Sequence, residues 1–210
     1  MRVKNLAYQE STSKILSDVN FDMDEIDKLM IYGENGTGKS TLLKILANIL
    51  RPSQGEVINK LSIAYVPDSS ENYFTGLSAL VYFNFLRMNV KINEQEYDNQ
   101  LFDLMKLLNF SEKLLHRKIS LLSLGEKKKV MIIGAFLINP DLYLMDEPLS
   151  GLDQESAQNF LKLICTKVEK KKKFIIISHD DIALFKPYDK CLHLYKGGSQ
   201  LETGEKTQDV

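Results

Sequence analysis

Apolar and polar positions follow two different periods along this chain. The first 30 residues are spaced as in short strands: residues 19–23 alternate apolar with polar side chains, and Ile15-Leu16 starts the same hairpin. Further on, short continuous apolar runs are typical of strands that are buried on both faces. These runs lie at residues 28–32, 61–66, 142–145 and 174–177.

Between these runs, apolar residues recur at the period of a helix. This spacing predicts helices over residues 42–50, 125–137 and 154–170. Pro52 is expected to end the first of them, and Gly55 to form a turn before the next strand. Residues 77–115 are helical in pattern throughout, and no strand signal interrupts them. The pattern predicts an α/β fold with a mostly parallel sheet, an N-terminal antiparallel β subdomain and an inserted helical subdomain.

We expect one domain over residues 1–210. Residues of about 1–70 and 118–210 would form its core, and about 71–117 its helical subdomain.

Composition excludes few classes of protein. The chain has 210 residues, of which 44% are hydrophobic and 26% charged, as in ordinary soluble proteins, and its net charge of −1 gives no reason to expect nucleic acid as a partner. Residues 1–7 lack the apolar core of a signal peptide, the longest apolar run is too short to span a bilayer, and the two cysteines have no metal or redox spacing. We therefore expect a cytoplasmic protein, or one attached to the inner face of the cell membrane.

The most specific motif follows the strand predicted at 28–32. It fits G-x-x-x-x-G-K-[ST] and consists of Gly33, Glu34, Asn35, Gly36, Thr37, Gly38, Lys39, Ser40 and Thr41. Glycines let the backbone N–H groups approach phosphate oxygens, Lys39 can neutralise the β- and γ-phosphates, and the Ser40 hydroxyl can ligate Mg²⁺. A helix N-terminus after the loop adds a positive dipole end. The motif predicts a P-loop core that binds a nucleoside triphosphate with Mg²⁺.

Acidic residues and a histidine follow two other predicted strands. Asp146 and Glu147 end one apolar run, and His179 follows another, so all three should reach the carboxyl edge of a parallel sheet. Asp146 can anchor Mg²⁺, and Glu147 can act as general base or orient the attacking water. We expect His179 to contact the γ-phosphate.

These motifs, taken together, resemble the nucleotide-binding subunit of ATP-binding-cassette (ABC) transporters over almost the whole chain. Residues 122–126 are similar to the family's signature L-S-G-G-Q, and residues 150–153 to its D-loop. The resemblance implies that Tyr8 stacks on adenine, and that a head-to-tail dimer holds each ATP between the P-loop of one subunit and Ser123 and Gly125 of the other. It also adds Asp153 to the nucleotide contacts.

Two residues depart from the family pattern. Asp68 stands where the family has glutamine, and it could still ligate Mg²⁺ although it adds negative charge near the triphosphate. Leu124 replaces the first signature glycine and resembles variants of bacterial peptide-antibiotic exporters. Glu126, in place of glutamine, is favoured at a helix N-terminus.

The resemblance implies an ATP hydrolase that powers a separate transmembrane permease, in the export direction, as a homodimer or paired with a second ATPase subunit. Two alternatives stay open: a soluble ABC ATPase that acts on ribosomes, DNA or iron–sulfur assembly, and a regulatory module that binds nucleotide without turnover.

Overall fold

The computed structural model describes residues 1–68, 74–178 and 182–203. The strands within this part of the chain are β1 (Arg2–Glu10), β2 (Ser13–Asp22), β3 (Lys28–Tyr32), β4 (Gln54–Ile58), β5 (Ile63–Val66), β6 (Leu142–Asp146), β7 (Lys173–Ile177), β8 (Lys190–Tyr195) and β9 (Gly198–Thr203). The helices are α1 (Lys39–Leu46), α2 (Ala79–Arg87), α3 (Glu94–Leu107), α4 (Leu124–Ile138) and α5 (Gln154–Glu169).

The central sheet has six strands in the order β5-β6-β7-β3-β8-β9. The pairings from β5 to β8 are parallel, and β9 is antiparallel to β8. Ile177 at the end of β7 pairs with Asp146 on one side and with Ile31 on the other. Because neighbouring parallel strands end at one edge, the segments after β5, β6 and β3 come together there.

A second, antiparallel sheet contains the N-terminal strands in the order β2-β1-β4. Its first two strands are long, 9 and 10 residues, and not short as predicted. The predicted turn at Gly55 is also wrong, because this residue lies within β4, where Gln54 pairs with Ala7 and Glu56 with Lys4. This long-range pairing with β1 makes the segment a strand.

The predicted helices are present, with changes at their ends. The first begins at Lys39 and ends at Leu46, well before Pro52, because Asn48 takes a left-handed conformation (φ 59°) that asparagine tolerates. Helices α2 and α3 and a short 3₁₀ turn, Glu112–Leu114, fill the region predicted to be helical.

The central sheet has a hydrophobic core on each face, as its continuous apolar strands predict. Strand β6 is buried along its whole length and supplies both cores: Tyr143 and Met145 pack against the helical side, whereas Leu142 and Leu144 pack with α1 and the N-terminal strands. The fold class predicted from the sequence is confirmed. Among the described helices, none has the length and apolar character that crossing a bilayer requires.

Candidate functional site

The glycine loop joins β3 to α1 at the carboxyl edge of the sheet. Gly38 caps the helix with a left-handed backbone (φ 92°), and a Cβ there would lie 2.8 Å from the Leu16 side chain, so both conformation and space favour glycine. The Thr37 hydroxyl donates a hydrogen bond to the Glu34 carbonyl at 2.9 Å and closes the loop. The N-terminus of α1 therefore opens directly onto the site.

Lys39, the first residue of α1, is a buried cation within this loop. Its ammonium donates hydrogen bonds to the carbonyl oxygens of Gly33 and Glu34, each at 2.8 Å. Burial lowers the pKa of Lys39, while the negative charges of Glu147 and Asp146 oppose that shift. The ammonium thus lies close enough to both carboxylates to feel their charge.

Asp146 and Glu147 follow one another at the end of β6. Asp146 is its last residue and is only 2% exposed. Glu147 has a left-handed backbone (φ 46°), and its N–H donates to the Ile177 carbonyl at 3.1 Å. Such a conformation in a residue other than glycine costs about 1 kcal/mol or more, and strained residues of this kind cluster at functional sites.

A cavity of about 500 Å³ lies between the loop and these carboxylates. The residues that line it are Ile15, Asn35, Gly36, Gly38, Lys39, Ser40, Thr41, Asp68, Asp146, Glu147 and Ile177. Nine of the eleven were predicted as site residues, and Ile15 and Ile177 were not. The cavity holds one lysine against three carboxylates, a balance that suits a triphosphate only when a metal cation accompanies it.

Other predicted residues lie outside this lining in the described part of the chain. Gly33, Glu34 and Thr37 form hydrogen bonds within the loop. Tyr8 lies half-buried on β1, where it pairs with Leu16 of β2. His179 lies outside the described residues. The nucleotide contacts assigned to these residues stay predictions.

Ser123 and Gly125 stand at the beginning of α4. Ser123 caps the helix: its hydroxyl accepts from the Glu126 N–H at 3.2 Å, and the Glu126 carboxylate accepts from the Ser123 N–H at 2.7 Å. A Cβ on Gly125 would lie 2.1 Å from the Gly151 carbonyl oxygen, so the signature segment and the D-loop touch through backbone. Neither signature residue lines the described cavity of its own subunit, and Leu124 between them is 58% exposed.

Asp153 caps the N-terminus of α5 and accepts three hydrogen bonds from two residues of the chain. Its carboxylate accepts from the N–H and the hydroxyl of Ser156 at 2.9 and 2.8 Å, and from the Lys129 ammonium at 2.6 Å. The Lys129 hydrogen bond is the main reason why the pKa of Asp153 lies far below its usual value. This geometry gives Asp153 a structural role, and its predicted contact with nucleotide is untested.

One buried charge beside the site was not predicted from the sequence. Lys128 on α4 is 1% exposed, and its ammonium donates to the backbone carbonyls of Pro67 and Asp146. It lies within a run of three lysines that is typical of an exposed face. Its place just before the apolar run of residues 130–138 was the signal, because α4 is buried at every position from 128 to 137.

Most of the chain is similar in sequence to known ABC transporter proteins. The sequence profile of the ABC transporter family matches residues 16–150. The molybdate/tungstate import ATP-binding protein WtpC of Pyrococcus abyssi is 34% identical over 77% of this chain, which spans about half (49%) of that relative's length. The cytochrome c biogenesis ATP-binding export protein CcmA of Reclinomonas americana is 32% identical over 89% of this chain and 87% of its own length.

Solved structures share the whole fold. An ATP-binding subunit of an ABC transporter superposes with a TM-score of 0.84 and 27% identity, covering 96% of this chain and 89% of its own. A dimeric cassette in a post-hydrolysis state bound to ADP and Pi has a TM-score of 0.79 at 22% identity, over 96% and 97% of the two chains. The chain therefore belongs to the ABC transporter family, and its fold is that of the family's ATP-binding, ATP-hydrolysing subunit.

Proposed function

We propose that this chain binds ATP with Mg²⁺ in the cavity and hydrolyses it to power transport through a separate membrane permease. The observation that carries the proposal is the meeting of the loop at 33–41 with Asp68, Asp146 and Glu147 around one cavity. Phosphates require N–H donors and a cation, and a magnesium ion requires hard oxygen ligands. This cavity has both.

The chain's own residues divide into phosphate and metal contacts. The N–H groups of the loop and the Lys39 ammonium would bind the β- and γ-phosphates. The Ser40 hydroxyl and the carboxylates of Asp146 and Asp68 would hold Mg²⁺, which supplies positive charge against the phosphate oxygens when bound. Within the described ranges no group of three or more His, Cys, Asp or Glu side chains is placed to hold a metal ion by itself.

Glu147 would act as the general base. Its carboxylate takes a proton from a water whose oxygen bonds to the γ-phosphorus, while the bond from that phosphorus to the bridging oxygen breaks and ADP leaves with the electron pair. The hydrogen bond from the Glu147 N–H to Ile177 fixes the backbone of this residue against β7. We propose that His179 contacts the γ-phosphate.

A second ATPase subunit, either a copy of this chain or a paired protein, would complete each site. Ser123 is exposed, and neither it nor Gly125 lines the described cavity of its own subunit, which supports contact with nucleotide held by the other. Tyr8 would stack on the adenine ring of its own ATP, and Asp153 would lie at the subunit boundary.

A groove beside the site supports docking of a permease segment. It has a volume of about 230 Å³ and is mostly apolar, lined by Ile49, Tyr65, Pro67, Phe74, Tyr82 and Met131. Phe85 on nearby α2 and Met88, which caps the end of this helix, are exposed, Met88 by 84%. We propose that residues of about 71–117 form the helical subdomain of a single domain over 1–210, and that a cytoplasmic segment of the permease binds this groove at the inner face of the membrane.

The direction of transport is proposed from Leu124, which favours export. Relatives named for import and for export both match this chain, so the direction has to be measured with the permease. Uptake of cargo into inside-out vesicles on addition of ATP supports export, and uptake into right-side-out vesicles loaded with ATP contradicts it.

Turnover by the purified protein tests the hydrolysis proposal. We expect Glu147→Gln to lower kcat at least about 100-fold, because the amide cannot accept the proton. Glu169→Gln, the same change at an exposed residue near the end of α5, should leave kcat unchanged. Equal rates for wild type and Glu147→Gln, alone and with the permease, would favour a binding module without turnover.

The dimer is tested separately. We expect Glu147→Gln with ATP and Mg²⁺ to elute from gel filtration as a dimer, and Glu147→Gln combined with Ser123→Arg to elute as a monomer. A variant that stays monomeric in the presence of ATP would contradict the shared site.

A further inference from the structure

Lys128 is a charged side chain inside the protein, at the edge of the sheet, and 1% exposed. Its ammonium donates to the carbonyl oxygens of Pro67 and Asp146, both at 2.8 Å. Pro67 comes directly after β5, and Asp146 ends β6. One cation on α4 therefore binds the ends of the two neighbouring strands that lead to Asp68 and to Asp146.

These two contacts lie between the groove and the cavity. Pro67 lines the apolar groove, whereas Asp68, the next residue, lines the nucleotide cavity together with Asp146. A shift of the backbone at Pro67 would therefore alter its hydrogen bond with Lys128. The same ammonium also binds the carbonyl of Asp146, whose carboxylate faces the proposed Mg²⁺. Among the described contacts, Lys128 is the one side chain seen to hydrogen bond with both strand ends.

Stability alone does not explain a lysine at this position. An ammonium removed from water is unfavourable unless good hydrogen bonds satisfy it, and an apolar side chain of similar volume is often as stable. Charge gives a better reason: the cavity contains three carboxylates and one lysine, and Lys128 adds a fixed positive charge behind two of them. One of these carboxylates, Asp68, stands directly after Pro67, at the position where the family carries neutral glutamine.

We propose that Lys128 is a positioning residue that holds Asp68 and Asp146 for Mg²⁺ by binding the backbone of both strand ends. This inference rests on the proposed binding of Mg²⁺ and ATP in the cavity. Lys128 itself contacts neither the metal nor the nucleotide. Its removal leaves the loop intact and loosens the carboxylate side of the site.

The test compares nucleotide affinity with and without Mg²⁺, using a fluorescent ATP analogue. Lys128→Met keeps the approximate volume and removes the charge and both donors, and Lys128→Gln restores a neutral donor. We expect Lys128→Met to bind the analogue within about twofold of wild type in EDTA, and to lose about tenfold or more of the gain in affinity that Mg²⁺ provides. Lys128→Gln should recover part of that loss, and the exposed control Lys106→Met should match wild type.

A second measurement tests the charge. In the Lys128→Met background, changing Asp68 to glutamine should restore part of the Mg²⁺-dependent affinity, because it removes one of the three carboxylates that line the cavity. Thermal unfolding shows which variants are folded, and Lys128→Gln carries the test if Lys128→Met does not fold.

An unchanged Mg²⁺ dependence in a folded Lys128 variant would overturn the proposal. So would an equal loss of affinity in EDTA and in Mg²⁺, because that pattern indicates a structural role alone. These affinity measurements do not depend on ATP hydrolysis. If wild type binds the analogue with Mg²⁺ but hydrolyses no faster than Glu147→Gln, the hydrolysis proposal fails while this one can stand.

Discussion

Replacing Tyr143 with phenylalanine is expected to stabilise the folded protein. Tyr143 lies in β6 with none of its surface exposed, and its ring stacks on Phe174 and Phe136 with centroid distances of 4.7 and 4.8 Å. Among the residues that the structure describes, none forms a hydrogen bond with its hydroxyl. Burial raises the pKa of this hydroxyl, which therefore stays neutral inside the core.

Two opposing terms set the size of the effect. A buried hydroxyl without a partner destabilises the folded state by about 1–3 kcal/mol. Its removal leaves a void of roughly 10–15 Å³, which at about 24 cal/mol per Å³ costs about 0.2–0.4 kcal/mol. We expect a net gain of about 1–2 kcal/mol in the free energy of unfolding. For a chain of this length each kcal/mol raises Tm by roughly 2–4 °C.

Urea and thermal unfolding followed by circular dichroism measure this change, and Tyr97→Phe is the matched control. Tyr97 is also buried, but its hydroxyl donates to the Phe83 carbonyl at 2.7 Å. The same substitution there should destabilise the protein by about 0.5–1.5 kcal/mol, because it removes a buried hydrogen bond. If Tyr143→Phe is also less stable than wild type, its hydroxyl has a partner and the reasoning is refuted.

Three further substitutions test the site. Gly125→Ala would place a methyl group 2.1 Å from the Gly151 carbonyl oxygen; we expect turnover to fall about tenfold or more, and a normal rate would contradict the close approach. Asp153→Ala should lower the free energy of unfolding by about 1 kcal/mol at pH 7, through loss of the cap on α5. Because Lys129 depresses the pKa of Asp153, this difference should be complete above about pH 4 and shrink as the pH falls further, as measured by urea titrations at several pH values. Lys39→Met should weaken ATP binding at least about tenfold by equilibrium titration, and unchanged affinity would exclude Lys39 from the phosphate site.

The sequence predicts four parallel strands of the central sheet, β3, β5, β6 and β7, and the glycine loop well because their signals are local. Apolar runs mark β3, β6 and β7, and glycine spacing marks the loop, without reference to distant residues. Strands β4, β8 and β9 escaped notice because they depend on pairing, as when β8 joins β3 and β9 then pairs with β8. In such segments the local alternation of apolar and polar residues is too weak to indicate a strand.

The same limit explains the parts of the candidate site that were missed. Ile15 lines the cavity because the antiparallel sheet folds over the loop, and no spacing along the chain connects it with Gly38. Lys128 was missed for a different reason: lysine is almost always exposed, so residue type outweighed its position next to the apolar run of α4. Tertiary contact decides both cases.

Helix α4 has a mechanical consequence for how two subunits would communicate. A helix rises about 1.5 Å per residue, so Ser123 at its beginning and Lys128 inside the protein are separated by only about 7.5 Å along the axis. Over so short a distance a helix bends very little, so a displacement of Ser123 moves Lys128 with it as one rigid body. Contact of Ser123 with a neighbouring subunit would therefore reach the strand ends of this subunit as a displacement, without any rearrangement between them.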